Sequence, residues 1–201
     1  MQGKIIGIVA IVGVVLLLGI YSIITYNTLV GLDQATQAQW AQVQNVYQRR
    51  ADLIPNLVET VKGSSNFEKD TLVAVTEARS KVGQVTSGAV QNIANDPAAF
   101  KQFQQAQDGL SSALSRLMVV VERYPDIKST QNFRDLQSQL EGTENRISVE
   151  RMRFNEVAQA FNTKRQSFPT VLVAGVFGKG FEPKVYFEAQ SGADKAPPVK
   201  F

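Results

Sequence analysis

The apolar and polar positions divide this chain into one continuous apolar run, a long stretch of helical periodicity and a C-terminal part with neither pattern. Residues 5–26 carry no charged side chain. As a helix this run would extend about 33 Å, close to the roughly 30 Å hydrocarbon core of a bilayer. We therefore expect residues 1–26 to be a transmembrane anchor that contacts the lipid bilayer through residues 5–26. Tyr21 and Tyr26 suit the membrane interface at its end.

A cleaved signal peptide is the alternative interpretation of the apolar run. Such a peptide usually has a shorter apolar core followed by small residues at the cleavage site, and Gly19-Ile20-Tyr21-Ser22 fits that pattern poorly. Lys4 precedes the run, whereas residues 27–48 carry only Asp33 as a charged residue. By the positive-inside rule, we expect a cytoplasmic N-terminus and a domain on the opposite side of the membrane.

Four amphipathic segments follow the anchor, with apolar residues at alternating steps of three and four. The first has no strong helix breaker between it and the anchor, so the transmembrane helix should continue into it. Short connections between the four segments favour an antiparallel arrangement. The fold class predicted is all-α, with an N-terminal transmembrane helix that continues into an antiparallel four-helix bundle of long helices over residues 27–168. The first predicted helix ends at about residue 62, and the other three cover about residues 65–88, 97–123 and 129–167.

The chain changes character after Phe168-Pro169. Residues 169–188 form an apolar C-terminal segment that contains glycine and aromatic residues, and we expect it to dock on the bundle, on a partner chain or on the membrane. Residues 189–201 lack periodicity and are rich in Ala, Gly, Ser and Pro, so a disordered tail is predicted. The candidate contact residues of the apolar segment are Val171, Leu172, Val173, Val176 and Phe177.

Pro55 lies inside the first predicted helix, within the unusual stretch of residues 49–57. A proline in a helix interior cannot donate to the carbonyl four residues earlier, which is that of Ala51, and typically costs about 3 kcal/mol. We therefore predict a helix kink near Ala51. A packing bend with no further role is the simplest interpretation of it.

Arg50 and Arg151 occupy positions on the apolar faces of the first and last predicted helices. A buried charge is costly unless it is paired, so we expect Arg50 to bind a carboxylate and identify Glu144 as its partner. Such a network more often fixes helix register than performs chemistry. The predicted structural polar network contains Arg49, Arg50, Asp52, Asn56, Glu144, Arg151 and Asn155.

The composition restricts the chemistry open to the chain. Among 201 residues there is no histidine and no cysteine, which removes the commonest general base and the commonest transition-metal ligands. Glu144 paired with Glu141 or Glu150 offers carboxylates without an adjacent nucleophile. The net charge of +3 comes without a concentrated basic face, so nucleic-acid binding is not expected. We predict no catalytic, cofactor-binding or metal site.

Several short sequence blocks occur in order along the chain: Arg49 to Val58, Glu77-Ala78-Arg79, Glu122 to Pro125, Leu140 to Ile147, Arg151, Phe154-Asn155, Phe161-Asn162, Phe168-Pro169 and Tyr186 to Glu188. Together these blocks resemble the LemA family of bacterial membrane-anchored proteins. The resemblance implies a helical domain on a single-pass anchor with no established enzyme activity. It also implies a setting, since relatives include a protein of magnetosome membranes and others occur alongside membrane metalloproteases.

The function we expect from these features is that of a non-enzymatic scaffold anchored in a bacterial inner membrane. It would form a homo-oligomer or organise partner proteins there. The alternative is an adaptor or regulator of one membrane-protein partner, such as a membrane metalloprotease. An unrecognised hydrolase is the third hypothesis, and the sequence offers least for it.

Overall fold

In a computed structural model, the chain is described over residues 2–63, 68–88, 93–176 and 180–188. The regular structure in these ranges is entirely helical, which confirms the all-α prediction. The predicted start of the second helix at residue 65 and the predicted disordered tail at 189–201 fall outside the described residues. The helices are α1 (Gln2–Lys62), α2 (Lys69–Gly88), α3 (Pro97–Val121), α4 (Pro125–Lys128), α5 (Gln131–Gln166) and α6 (Thr170–Val176), with a 3-10 helix at Ile93–Asn95.

Helix α1 runs without interruption for 61 residues, which corresponds to about 90 Å at about 1.5 Å per residue. Its first part presents exposed apolar side chains on all sides, from Ile5 to Ile24. From Thr25 onward one face is buried against the rest of the protein. Within the described ranges, α1 alone is long and apolar enough to cross a membrane. The predicted continuity between the anchor and the first helix is thus present, and the helix ends at Lys62 as expected.

Side-chain caps define where α3 and α5 begin. The Asp96 carboxylate accepts hydrogen bonds from the amides of Ala98 and Ala99, at 2.9 and 3.2 Å, and Pro97 occupies the first helical position. The hydroxyl of Thr130 accepts from the Phe133 amide at 3.3 Å. The start of α3 agrees with the predicted residue 97, whereas α5 begins two residues after the predicted residue 129.

The core lies where α1 packs along α5 and α2 packs along α3. Helices α1 and α5 are antiparallel, since Leu29 clusters with Phe161 while Arg50, further along α1, meets Glu144, earlier in α5. An aromatic cluster occupies the middle of the domain, with the Trp40 ring centroid 5.2 Å from that of Phe103. The members of this aromatic cluster are Trp40, Tyr47, Phe100, Phe103, Phe154 and Phe187.

Candidate functional site

Arg50 is the most unusual side chain of the core, because it is a charged residue with only 1% of its surface exposed. Its Nη1 donates to Ser111 Oγ at 2.7 Å and to Glu144 Oε2 at 2.9 Å. Its Nη2 donates to Gln107 Oε1 at 2.5 Å and to the Gln107 carbonyl at 3.3 Å. We call these four residues the Arg50 cluster. It joins α1 to both α3 and α5.

The two ends of the Arg50–Glu144 ion pair lie in different environments. The Arg50 side chain is 2% exposed, whereas that of Glu144 is 52% exposed, so the carboxylate closes the cluster from the solvent side. A cavity of about 210 Å³ adjoins the pair. Arginine stays protonated in proteins and cannot act as a base, so the cluster is suited to holding helices together rather than to proton transfer.

Tyr47 lies one turn before Arg50 and supports the guanidinium from its other side. The Arg50 Cζ atom is 5.1 Å from the Tyr47 ring centroid, a cation–π contact. Burial raises the pKa of the Tyr47 phenol above its usual value, against the opposing positive charges of Arg151 and Arg50. The phenol therefore stays neutral beside the cluster.

Three residues of the predicted network lie away from the Arg50 cluster. Arg49, Asp52 and Asn56 are exposed on the opposite face of α1. The Asp52 carboxylate accepts from Gln48 Nε2 of the same helix at 2.7 Å. Helical geometry explains this placement, since the buried residues Arg50, Ile54 and Leu57 recur at steps of three and four on one face of α1. The three exposed residues fall between these steps.

Pro55 leaves the carbonyl of Ala51 without a helical donor, and a side chain of another helix takes that place. Arg79 of α2 donates its Nε–H to the Ala51 carbonyl oxygen at 3.0 Å. Ala51 is buried, so an unpaired carbonyl there would be costly. The helix continues through Pro55. The sequence predicted that the Ala51 carbonyl would lack a helical donor, but it did not identify Arg79 as the donor. Arg79 does belong to one of the sequence blocks that carry the family resemblance.

Asn155 and Asn162 bind the backbone of the C-terminal segment, not the Arg50 cluster. Asn155 Nδ2 donates to the Phe187 carbonyl at 2.9 Å, and its Oδ1 accepts from the Phe187 amide at 2.8 Å. Asn162 does the same with Lys184, at 2.8 Å in both directions. Each asparagine amide therefore satisfies both backbone groups of one residue. We call residues 180–188 the docked tail.

The spacing of the two asparagines matches the geometry of the docked tail. Seven residues along a helix cover about 10.5 Å, and three residues of extended chain cover about 10 Å. Residues 162 and 155 on α5 therefore meet residues 184 and 187 in register. The sequence signal was the repeated Phe-Asn pair, whose phenylalanines, Phe154 and Phe161, are fully buried.

Lys184 fixes the docked tail to two further elements. Its ammonium group pairs with Asp33 of α1 and donates to Asn95 Oδ1 at 2.7 Å. It also lies 4.7 Å from the Phe161 ring centroid. This lysine is 3% exposed, so the docked tail contributes a second buried and paired cation to the domain.

Arg151 of α5 binds the docked tail and is not part of the Arg50 cluster. Its Nη2 donates to the Glu188 carbonyl at 3.0 Å, and its Cζ atom lies 4.7 Å from the Phe187 ring centroid. Of the seven residues predicted to form one network, the structure thus brings Arg50 together with Glu144, and it brings Arg151 and Asn155 to the docked tail.

Helix α6 contains most of the candidate contact segment and lies beside the apolar part of α1. Thr170 Oγ1 and Tyr21 Oη are 3.3 Å apart. Val173 is buried, whereas Val171, Leu172 and Val176 are exposed. The fifth candidate, Phe177, lies outside the described residues.

Several residues of these sites were not foreseen from the sequence. Gln107 and Ser111 carried no signal, because polar residues at such positions are common on exposed helix faces. Asp33 and Lys184 carried none either, because 151 residues separate them along the chain. No group of His, Cys, Asp and Glu side chains suited to a metal ion occurs within the described ranges.

Comparisons with known proteins agree with the family resemblance found in the sequence. A sequence model of the LemA family matches residues 39–201. The chain is 28% identical to magnetosome protein MamQ 2 of Paramagnetospirillum magneticum over 183 residues, which cover 84% of this chain and 66% of that protein. It is 26% identical to Protein LemA of Metamycoplasma hominis over 132 residues, covering 66% of this chain and 55% of that protein. The chain thus spans about two thirds of the length of the MamQ relative.

Proposed function

Because the chain belongs to the LemA family, we propose that it is a membrane-anchored, non-enzymatic helical scaffold that self-associates or organises partner proteins at a bacterial membrane. In this proposal residues 1–26 are the anchor and residues 27–168 fold as an antiparallel four-helix bundle. Residues 169–188 complete the domain.

The main observation that supports this proposal is that the buried polar side chains form their hydrogen bonds within the domain. Arg50, Asn162 and Lys184 are all buried, and their hydrogen bonds go to other parts of the same chain. Polar groups engaged in this way hold helices and tail in one arrangement and are not free to bind or transform a substrate. Such use of buried polar groups is typical of a protein whose surface, not an internal site, carries its function.

The form of α1 supports a role at a membrane. One helix contains both the exposed apolar residues 5–24 and the buried face that begins at Thr25. A continuous helix transmits the orientation of the anchor to the domain, so copies in one membrane present the same faces sideways. With Lys4 as the charge before the anchor, we propose that the N-terminus is cytoplasmic and the domain extracytoplasmic. The name of the MamQ relative, a magnetosome protein, is compatible with organisation at a membrane.

Site-directed crosslinking in the native membrane tests the proposal. The chain has no cysteine, so single cysteines on exposed positions report contacts without background. We choose Val73 of α2, Val119 of α3 and Met152 of α5, which are exposed apolar side chains on three helices. Self-crosslinking from one helix face and not the others supports the scaffold.

The partners captured in this experiment decide between scaffold and adaptor. A single other membrane protein, captured without any self-crosslink, would favour the adaptor. Absence of both kinds of product from all three positions would contradict the proposal. A cysteine at Leu117, which is fully buried, serves as the control that should give no product in either case.

A further inference from the structure

Helix α6 and Phe168, which lies two residues before it, expose an apolar surface at the level of the anchor. Phe168 is 81% exposed, Leu172 is 61% exposed and Val176 is 81% exposed. A groove of about 960 Å³ between α6 and α1 is lined by apolar residues of both helices, including Leu17 and Val176. The surface of α6 is therefore continuous with the exposed apolar surface of residues 5–24.

The contact between Tyr21 and Thr170 fixes the depth of this surface. Tyr21 lies five residues before Tyr26, or about 8 Å toward the middle of the apolar run. If residues 5–26 occupy the membrane with Tyr21 near its interface, the groove that Leu17 and Val176 line lies deeper than Tyr21, inside the hydrocarbon core. Water does not reach this depth, so exposed apolar side chains there have lipid as their neighbour.

The polar groups around α6 satisfy the conditions for contact with lipid. Residues 166–176 carry no charged side chain. The hydroxyl of Thr170 is within hydrogen-bond distance of Tyr21. Two amides of the first turn are paired, that of Val171 with the Ser167 carbonyl at 2.9 Å and that of Leu172 with the Pro169 carbonyl at 3.1 Å. Satisfied backbone groups are required of any segment that enters a bilayer.

Charged residues begin again above this level. Lys164 and Arg165 occupy the last turn of α5, one turn before Phe168, and are half-buried. Cations at such positions suit the headgroup region, where long basic side chains reach polar surroundings. Along the chain, the cations at the end of α5 are followed by Phe168 and then by the apolar surface of α6, which parallels the order of headgroups and acyl chains across a membrane leaflet.

We propose that Phe168 and α6 lie among the lipid acyl chains of the leaflet next to the domain, as a second membrane-contacting element beside the anchor. The occupant of the exposed α6 surface is lipid and not another protein chain. The lower end of the domain is then embedded in the bilayer instead of held above it on a single helix. This inference rests on the anchoring proposed above, and the experiment separates the two.

Single-cysteine variants of the full chain in phosphatidylcholine–phosphatidylglycerol vesicles test this proposal. Leu172→Cys and Val176→Cys carry an environment-sensitive fluorophore, with nitroxide-labelled lipids as quenchers in the acyl-chain region. Leu17→Cys reports the anchor, and Met152→Cys, an exposed apolar position on α5, is the matched control. We expect the two α6 labels to lose emission to an extent similar to Leu17→Cys, while Met152→Cys keeps its emission.

Each other outcome overturns the proposal in a recognisable way. Quenching at Leu17→Cys without quenching on α6 leaves the anchor intact and refutes lipid contact by α6. Blue-shifted but unquenched emission from α6 assigns its surface to a protein neighbour, either a second copy or another chain. Absence of quenching at Leu17→Cys refutes the anchoring itself.

Discussion

Replacing Arg79 by alanine removes the donor that binds the carbonyl of Ala51. Pro55 has no amide hydrogen, so that carbonyl has no partner within α1, and Arg79 Nε lies 3.0 Å from it. Ala51 is buried, and water has limited access to its carbonyl oxygen. The variant should therefore lose stability through one backbone group on a different helix.

The size of this effect follows from the exposure of the two partners. A buried carbonyl that loses its partner costs about 1 to 3 kcal/mol, and the exposed position of Arg79 places the cost in the lower half of that range. We expect Arg79→Ala to lower the free energy of unfolding by about 1.5 kcal/mol. Pro55→Ala restores the helical amide and should raise it by about 1 to 2 kcal/mol. With that amide present, Arg79→Ala should cost only about 0.5 kcal/mol.

A double-mutant cycle measures the coupling, which we expect to be about 1 kcal/mol. The full chain is unfolded with urea in detergent micelles and followed by far-ultraviolet circular dichroism, with the slope of the transition compared among variants. Lys81→Ala provides the matched control, because Lys81 is an exposed cation two residues further along α2. Lys81→Ala should change the free energy of unfolding by the same amount in the presence and in the absence of Pro55.

If Arg79→Ala lowers the free energy of unfolding equally with Pro55 and with Pro55→Ala, Arg79 does not compensate for the missing amide of the proline, and the prediction is wrong. The Arg79 side chain would then stabilise α2 through contacts unrelated to Pro55. A destabilising effect of Pro55→Ala would refute it as well, because it would mean that the proline is favoured by its surroundings for another reason.

Three further predictions concern the Arg50 cluster and the docked tail. Glu144→Gln should cost at most about 1 kcal/mol because Glu144 is half exposed, whereas Arg50→Ala should cost about 3 kcal/mol or more, and equal losses in urea unfolding would contradict this asymmetry. Asn162→Asp keeps an acceptor for the Lys184 amide but removes the donor to the Lys184 carbonyl. Amide hydrogen exchange in residues 180–188 should therefore accelerate at least about tenfold. The control Asn145→Asp, on the exposed face of α5, should leave these exchange rates unchanged. Because the pKa of Tyr47 is raised in the folded protein, its neutral phenol contributes stability that is complete below the unfolded pKa of about 10 and is lost as the pH rises through the folded pKa. Tyr47→Phe should remove this alkaline loss of stability. A melting temperature that falls with pH in the same way in the variant would contradict the prediction.

The long helices could be predicted because their signals are local. The cap at Asp96 and the apolar periodicity of α1 depend on residues within a few positions of each other. The requirement at Pro55 was also local, since any proline leaves the carbonyl four residues earlier without a donor. The residue that meets this requirement, Arg79, is 28 residues away, and helix periodicity does not specify it.

The C-terminal segment could be only partly predicted, for a different reason. Residues 180–188 have no helix or strand pattern, and their order comes from side chains of α5 that bind their backbone. Any sequence can supply backbone groups, so the docked tail has little signature of its own. The signature lies in Asn155 and Asn162 of α5. The sequence-based prediction places Asn155 in one polar network with Arg50 of the first helix.

The mass of the full chain after mild detergent extraction tests the scaffold proposal most directly. Light scattering with subtraction of the bound detergent gives the number of copies of the 22.1 kDa chain in each particle. The scaffold account predicts a homogeneous homo-oligomer, a fixed multiple of that mass. A single chain that copurifies with one different membrane protein would favour the adaptor, and a single chain that elutes alone at every concentration would contradict the account.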